Sequence, residues 1–98
     1  MTIKEVLLQL ETAHHPVAKA LHKGDHFKVL VIGFKRGMKL KEHKAHLPSK
    51  LTVISGQVIY REGEKEIVLN NFDEVDILIN TKHWVESTED SLCLLTQG

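Results

Sequence analysis

After its first dozen residues the chain is a succession of short β-branched runs cut at close intervals by turn-forming residues. The runs are Val17–Leu21, Phe27–Phe34, Leu51–Ile54, Val58–Tyr60, Ile67–Leu69, the alternating Val75, Ile77 and Ile79, Val85, and Leu92–Leu95. Gly24-Asp25, Gly37, Gly56, Glu62-Gly63-Glu64 and Asn70-Asn71 mark the turns between them. Runs of this length and composition predict roughly eight strands. Helical spacing never returns among them, which argues against a βαβ arrangement and favours an antiparallel sandwich or barrel. Ahead of the strands, Ile3, Val6, Leu7 and Leu10 lie at helical spacing. Thr2 and Glu5 have the spacing of a capping box, and Pro16 stops the helix, so a short helix is predicted over 3–12.

Ninety-eight residues make one domain, 1–98, with the helix followed by a barrel over about 17–96. Thirteen basic and thirteen acidic side chains cancel, leaving no charge argument for nucleic acid or an anionic membrane. Residues 1–50 hold ten Lys and Arg against four Asp and Glu, and residues 51–98 hold three against nine. That split favours halves that pack together. A single cysteine, Cys93, excludes an internal disulfide and reads as a small core hydrophobe, which fits a cytoplasmic protein. The first residues lack the apolar stretch of a signal peptide, and no segment reaches membrane-spanning length.

Two histidine-bearing segments carry the candidate chemistry. One runs from Gly37 through His43 and His46 to Gly56; the other runs from Phe72-Asp73 to His83. Folded against each other, they would aim imidazoles at one spot, as a metal site, an acid–base pair or a ligand pocket. On a regular strand His43 and Ala45 share a face and His46 points away, so His46 joins only through a bulge or loop before Pro48. Strict alternation would also put Lys39 and Lys41 beside His43, so an irregularity is expected near 41–43. His14, His15, His22 and His26 read as surface or edge histidines.

The two segments resemble the two motifs of the cupin superfamily. Gly37, His43 and Gly56 match the first motif; Asp73 and His83, with Val75 and Ile77 as the strand, match the second. The resemblance covers roughly residues 25–96. It departs at Ala45, where a second motif histidine is expected, at Ser49 and Lys50, where a glutamate is expected, at Leu78-Ile79-Asn80, and at Phe72, which replaces a glycine. It implies an all-β double-stranded β-helix, the cupin jelly-roll barrel, with a short N-terminal α-helix. The implied metal ligands are His43 and His83, with a third imidazole supplied by His46 or by a recruited histidine such as His26, and the metal would be zinc, iron, nickel or copper.

The favoured function is a barrel that binds a small molecule, with His43, His83 and Trp84 at the pocket, a metal optional and no reaction assigned. The alternative is a metal-dependent enzyme, of dioxygenase or isomerase type, acting on a small polar substrate. Lys35, Arg36, Lys39, Lys41, Lys44 and Lys50 would attract an anion or, as we read them, form a solvated face. Phe27, Phe34 and Phe72 read as core. Trp84 would line the pocket or an intersubunit contact. A chain this small gains stability by pairing, so a homodimer is expected, with the helix and the strand near 17–21 as candidate contacts.

Overall fold

A computed structural model describes residues 1–98. A helix, α1 (Thr2–Leu10), precedes nine strands: β1 (Val17–Lys23), β2 (Lys28–Phe34), β3 (Lys39–Lys44), β4 (Ser49–Ser55), β5 (Val58–Glu62), β6 (Lys65–Leu69), β7 (Glu74–Ile77), β8 (Lys82–Ser87) and β9 (Ser91–Gln97). They form two antiparallel sheets, ordered β1-β2-β9-β4-β7 and β3-β8-β5-β6. This is the antiparallel all-β arrangement that the spacing of the runs predicts, with its leading helix, in the jelly-roll form that the resemblance implies. No helix is long and apolar enough to cross a membrane.

Alternation along each strand builds the core between the sheets. Leu51 and Val53 of β4, Cys93 and Leu95 of β9, and Ile32 and Phe34 of β2 meet Val58 and Tyr60 of β5 and Val85 of β8. Polar groups occupy the ends of these inward rows and are satisfied there. Ser87 Oγ donates to the carbonyl of Lys35 at 2.6 Å, and Ser91 Oγ donates to that of Glu89 at 2.7 Å. Cys93 is fully buried, and burial alone pushes its thiol up to about 12.

A second, smaller cluster lies outside the five-stranded sheet. Val6 and Leu10 of α1 pack on Val17 and Val31. Gly33 permits this approach, because a Cβ there would meet Val6 Cγ1 at 2.9 Å and Leu10 Cδ2 at 3.2 Å. The opposite flank of the helix leaves Ile3, Leu7 and Leu8 exposed.

Several sequence expectations are corrected. The helix starts at Thr2, with Met1 as its N-cap and no side-chain capping bond, so the Thr2–Glu5 capping box does not form. The Glu5 carboxylate lies instead near the terminal ammonium and Lys19. The helix also ends at Leu10, where Glu11, Thr12 and Ala13 donate to carbonyls three residues back and tighten the last turn. β3 was not predicted as a strand, because Lys39, Lys41, Glu42 and Lys44 hide any apolar alternation. β7 stops at Ile77; Leu78 is exposed and Ile79 makes only an isolated bridge to Ala45. Of the three phenylalanines, Phe34 is core, Phe27 is half-exposed and Phe72 is 79% exposed. Phe72 occupies a turn at φ +70°, a left-handed conformation that turns its side chain out of the core and suits glycine better.

Candidate functional site

His43 of β3 and His83 of β8 face each other across the ladder, one pair from its end. Their ring centroids are 4.2 Å apart at an interplanar angle of 60°. A β-bulge lies immediately before the pair. Leu40 pairs with Val85 and His43 with His83, so Lys41 and Glu42 together oppose Trp84 alone. The extra residue lets both Leu40 and His43 point inward at an odd spacing, and it is the irregularity expected near 41–43.

Both imidazoles are held in the same way. His43 Nδ1–H donates to the carbonyl of Lys41 at 2.8 Å, and His83 Nδ1–H donates to that of Thr81 at 3.0 Å. A carbonyl only accepts, so these bonds place a proton on each Nδ1, and in the neutral ring the lone pair then lies on Nε2. Neither Nε2 has a partner within the protein, and no buried polar side-chain atom is unsatisfied. His83 is 2% exposed and His43 is exposed, so the pair runs from the interior to the surface.

Two residues that no sequence motif singles out complete the cluster. The ring of Tyr60, fully buried on β5, stacks at 5.8 Å and 29° to that of His83. Its hydroxyl donates to Glu62 Oε1 at 2.8 Å. Arg61 pairs with Trp84, so the next step along β5 brings Glu62 towards His83. The only signal for Tyr60 and Glu62 in the sequence was their place in a strand; their proximity to His83 comes from the sheet order.

Charge and burial set the protonation of this cluster. Burial lowers the pKa of His83, and the neighbouring His43 lowers it further, while the Thr81 carbonyl and the Glu62 charge oppose both. Burial, with the Glu62 hydrogen bond and charge, raises the pKa of Tyr60 and keeps its hydroxyl protonated. At neutral pH His83 therefore offers a lone pair. The arrangement can accept hydrogen bonds from a ligand at two neighbouring nitrogens and relay a proton between them.

The remaining predicted site residues lie elsewhere. Ala45 is buried and bridges to Ile79, which leaves the next residue, His46, exposed and turned from the pair. The bulge precedes His43 rather than following it, so nothing returns His46 to the inner face. No three His, Cys, Asp or Glu side chains are grouped so as to hold a metal ion. The predicted triad His43, His46 and His83 is thus reduced to two imidazoles, and Glu62 is engaged by Tyr60. These residues do not fit a metal centre with three protein ligands. Trp84 follows His83 on β8 and lies on the opposite face of the sheet, under Arg61 at 4.3 Å and Lys39 at 5.4 Å. It does not share the histidines' side of the barrel.

No protein-family model matches the sequence, and no curated protein matches it. Solved structures do match the fold. A cupin superfamily protein from Desulfitobacterium hafniense superposes with a TM-score of 0.80 at 14% identity, covering 86% of this chain and 77% of that one. An RmlC-like cupin from Desulfovibrio desulfuricans gives 0.76 at 24%, covering 84% and 80%. A cupin 2 conserved barrel domain protein from Leptotrichia buccalis gives 0.80 at 25%, covering 88% of this chain and 42% of that one. These superpositions show that the chain has the fold of a small cupin domain.

Proposed function

We propose that the chain is a small-molecule-binding cupin barrel whose recognition groups are the Nε2 atoms of His43 and His83. The supporting observation is the double tether. Two facing imidazoles are each fixed by a backbone carbonyl, and each keeps a free acceptor nitrogen. Such a pair suits a small polar ligand with two hydrogen-bond donors, or one donor shared between the nitrogens. The metal-dependent enzyme reading lacks a third protein ligand.

A thermal-shift screen of small polar compounds tests the proposal. Stabilising compounds should lose their effect in both His43→Ala and His83→Ala. Compounds that stabilise these variants as much as wild type would count against the pair as the site. In parallel, elemental analysis of untagged protein should find no stoichiometric transition metal; stoichiometric metal lost in His83→Ala would restore the enzyme reading.

The barrel is also proposed to pair with a second copy. The outer flank of α1 carries Ile3, Leu7 and Leu8 exposed, and β1 is an edge strand with one side unpaired. Both features favour association of like surfaces. Light scattering at micromolar concentration should give twice the chain mass, and Leu7→Glu with Leu8→Glu should return it to the monomer value.

A further inference from the structure

The outer face of the four-stranded sheet holds a second group of residues that the histidine pair does not use. Lys82, Trp84 and Glu86 alternate outward along β8, opposite inward His83, Val85 and Ser87. The bulge at Lys41 and Glu42 opens a groove beside Trp84, lined by Lys39, Leu40, Lys41, Glu42 and Trp84, with a volume of about 380 Å³. Trp84 is the only tryptophan. Arg61, above its ring, is already engaged by Glu86 at 2.9 Å and Glu66 at 3.3 Å.

The lysines beside the groove are not neutralised in this way. Lys44 and Lys82 stand directly opposite each other across β3 and β8, and neither has a carboxylate within ion-pair distance; nor has Lys41. Like charges placed directly across a ladder destabilise it. An anion between the two ammonium groups would reverse the sign of that interaction. Lys82 and Trp84 are two residues apart on one strand, so the cationic gap and the aromatic wall are roughly 6.6 Å apart.

From this juxtaposition we propose a second binding site, for a small aromatic anion. Its acid group sits between Lys44 and Lys82, and its planar ring lies against Trp84 in the groove. Lys39, exposed and 5.4 Å from the ring centre, is the side chain that such a ligand would meet or displace. The groove is at the small end of the range for small-molecule sites, which favours one aromatic group with one acid over a polymer. The basic stretch is then a recognition surface as well as a solvated face. The site lies on the opposite side of the sheet from the imidazoles and does not rest on the function proposed for them.

The sole tryptophan provides the assay. Adenosine monophosphate, as an aromatic phosphate probe, is titrated while Trp84 fluorescence is followed. Saturable quenching is expected, with affinity lowered at least about tenfold in the double variant Lys44→Gln, Lys82→Gln, as the loss of two exposed charge contacts implies. Adenosine alone and inorganic phosphate alone should each bind at least about tenfold more weakly than the joined molecule. His43→Ala should leave the titration unchanged, which separates this site from the barrel interior. Non-saturable quenching, equal affinity in the lysine variant, or equal affinity for phosphate alone would overturn the proposal. So would binding confined to oligoadenylate and strengthening with its length, since that describes a nucleic-acid surface. Both lysines are exposed, and far-UV circular dichroism verifies that the variant is folded.

Discussion

Tyr60→Phe tests the internal chain from Glu62 to the histidines most directly. The substitution removes one hydroxyl and keeps the ring, so it opens no cavity and leaves the stacking surface against His83 in place. It deletes the 2.8 Å bond to Glu62. A hydrogen bond to a charged acceptor contributes a net 1.5–3 kcal/mol as a rough guide. Glu62 is only half-buried, so it recovers part of this from water, and a loss of about 1–2 kcal/mol is expected. For a chain of this length that lowers Tm by roughly 5–15 °C. Urea unfolding followed by Trp84 fluorescence gives the free energy, and thermal circular dichroism gives Tm. A second readout is the NMR titration of His83. Glu62 raises the pKa of His83. Freed from its donor in Tyr60→Phe, the carboxylate acts more strongly and moves that pKa up; Glu62→Gln removes the charge and moves it down. Shifts of the same sign in the two variants, or a Tyr60→Phe stability equal to wild type, would refute the linkage.

Three further outcomes are expected. Gly33→Ala should destabilise by about 1–2 kcal/mol through overpacking against Val6, and combining it with Val6→Ala should cost less than the sum, as measured in a double-mutant cycle. Burial lowers the pKa of His83 in the folded chain, so the unfolded chain binds that proton first. Stability is therefore full above the ordinary imidazole value near 6.5, falls as pH drops through it, and levels off below the depressed folded value; His83→Asn should flatten this slope in urea midpoints measured across that range. Cys93, fully buried with its thiol pushed up to about 12, should resist a thiol reagent in native protein and react stoichiometrically once urea unfolds the chain.

What the sequence disclosed follows from how local each signal was. β2, β4 and β9 were legible because they are buried on alternate or both faces and carry β-branched runs. β3 was not, because five of its six side chains are charged or titratable and only Leu40 marks its inner face. The pairing of residues 43 and 83 was legible as two motif histidines. Tyr60 and Glu62 were not, since their relation to His83 comes from β8 lying between β3 and β5, which no short-range pattern encodes. Adjacency to His83 suggests the pocket as one place for Trp84, but adjacent residues of a strand face opposite ways. Hydrophobicity alone places Phe72 in the core, but the backbone conformation at that turn decides its exposure.

The bulge at Lys41 and Glu42 connects the two faces of the sheet, and its removal shows what each face needs. Deleting Glu42 restores one-to-one pairing: Leu40 stays opposite Val85, Lys41 faces Trp84, and His43 stays opposite His83 with the same inward parity. The imidazoles should therefore remain in contact. What changes is the carbonyl of Lys41, which lies two positions before His43, with Glu42 between them, and accepts from its Nδ1 in the bulged strand. In the deletion that spacing is lost, so His43 should exchange between its two neutral tautomers while His83, held by Thr81 on the unaltered strand, keeps one. Nitrogen-15 chemical shifts of the two rings distinguish these states. The groove beside Trp84 should close at the same time and abolish the aromatic-anion titration. If the deletion instead separates the rings, the bulge is what aligns them, and parity of the flanking ladder is insufficient to build the pair.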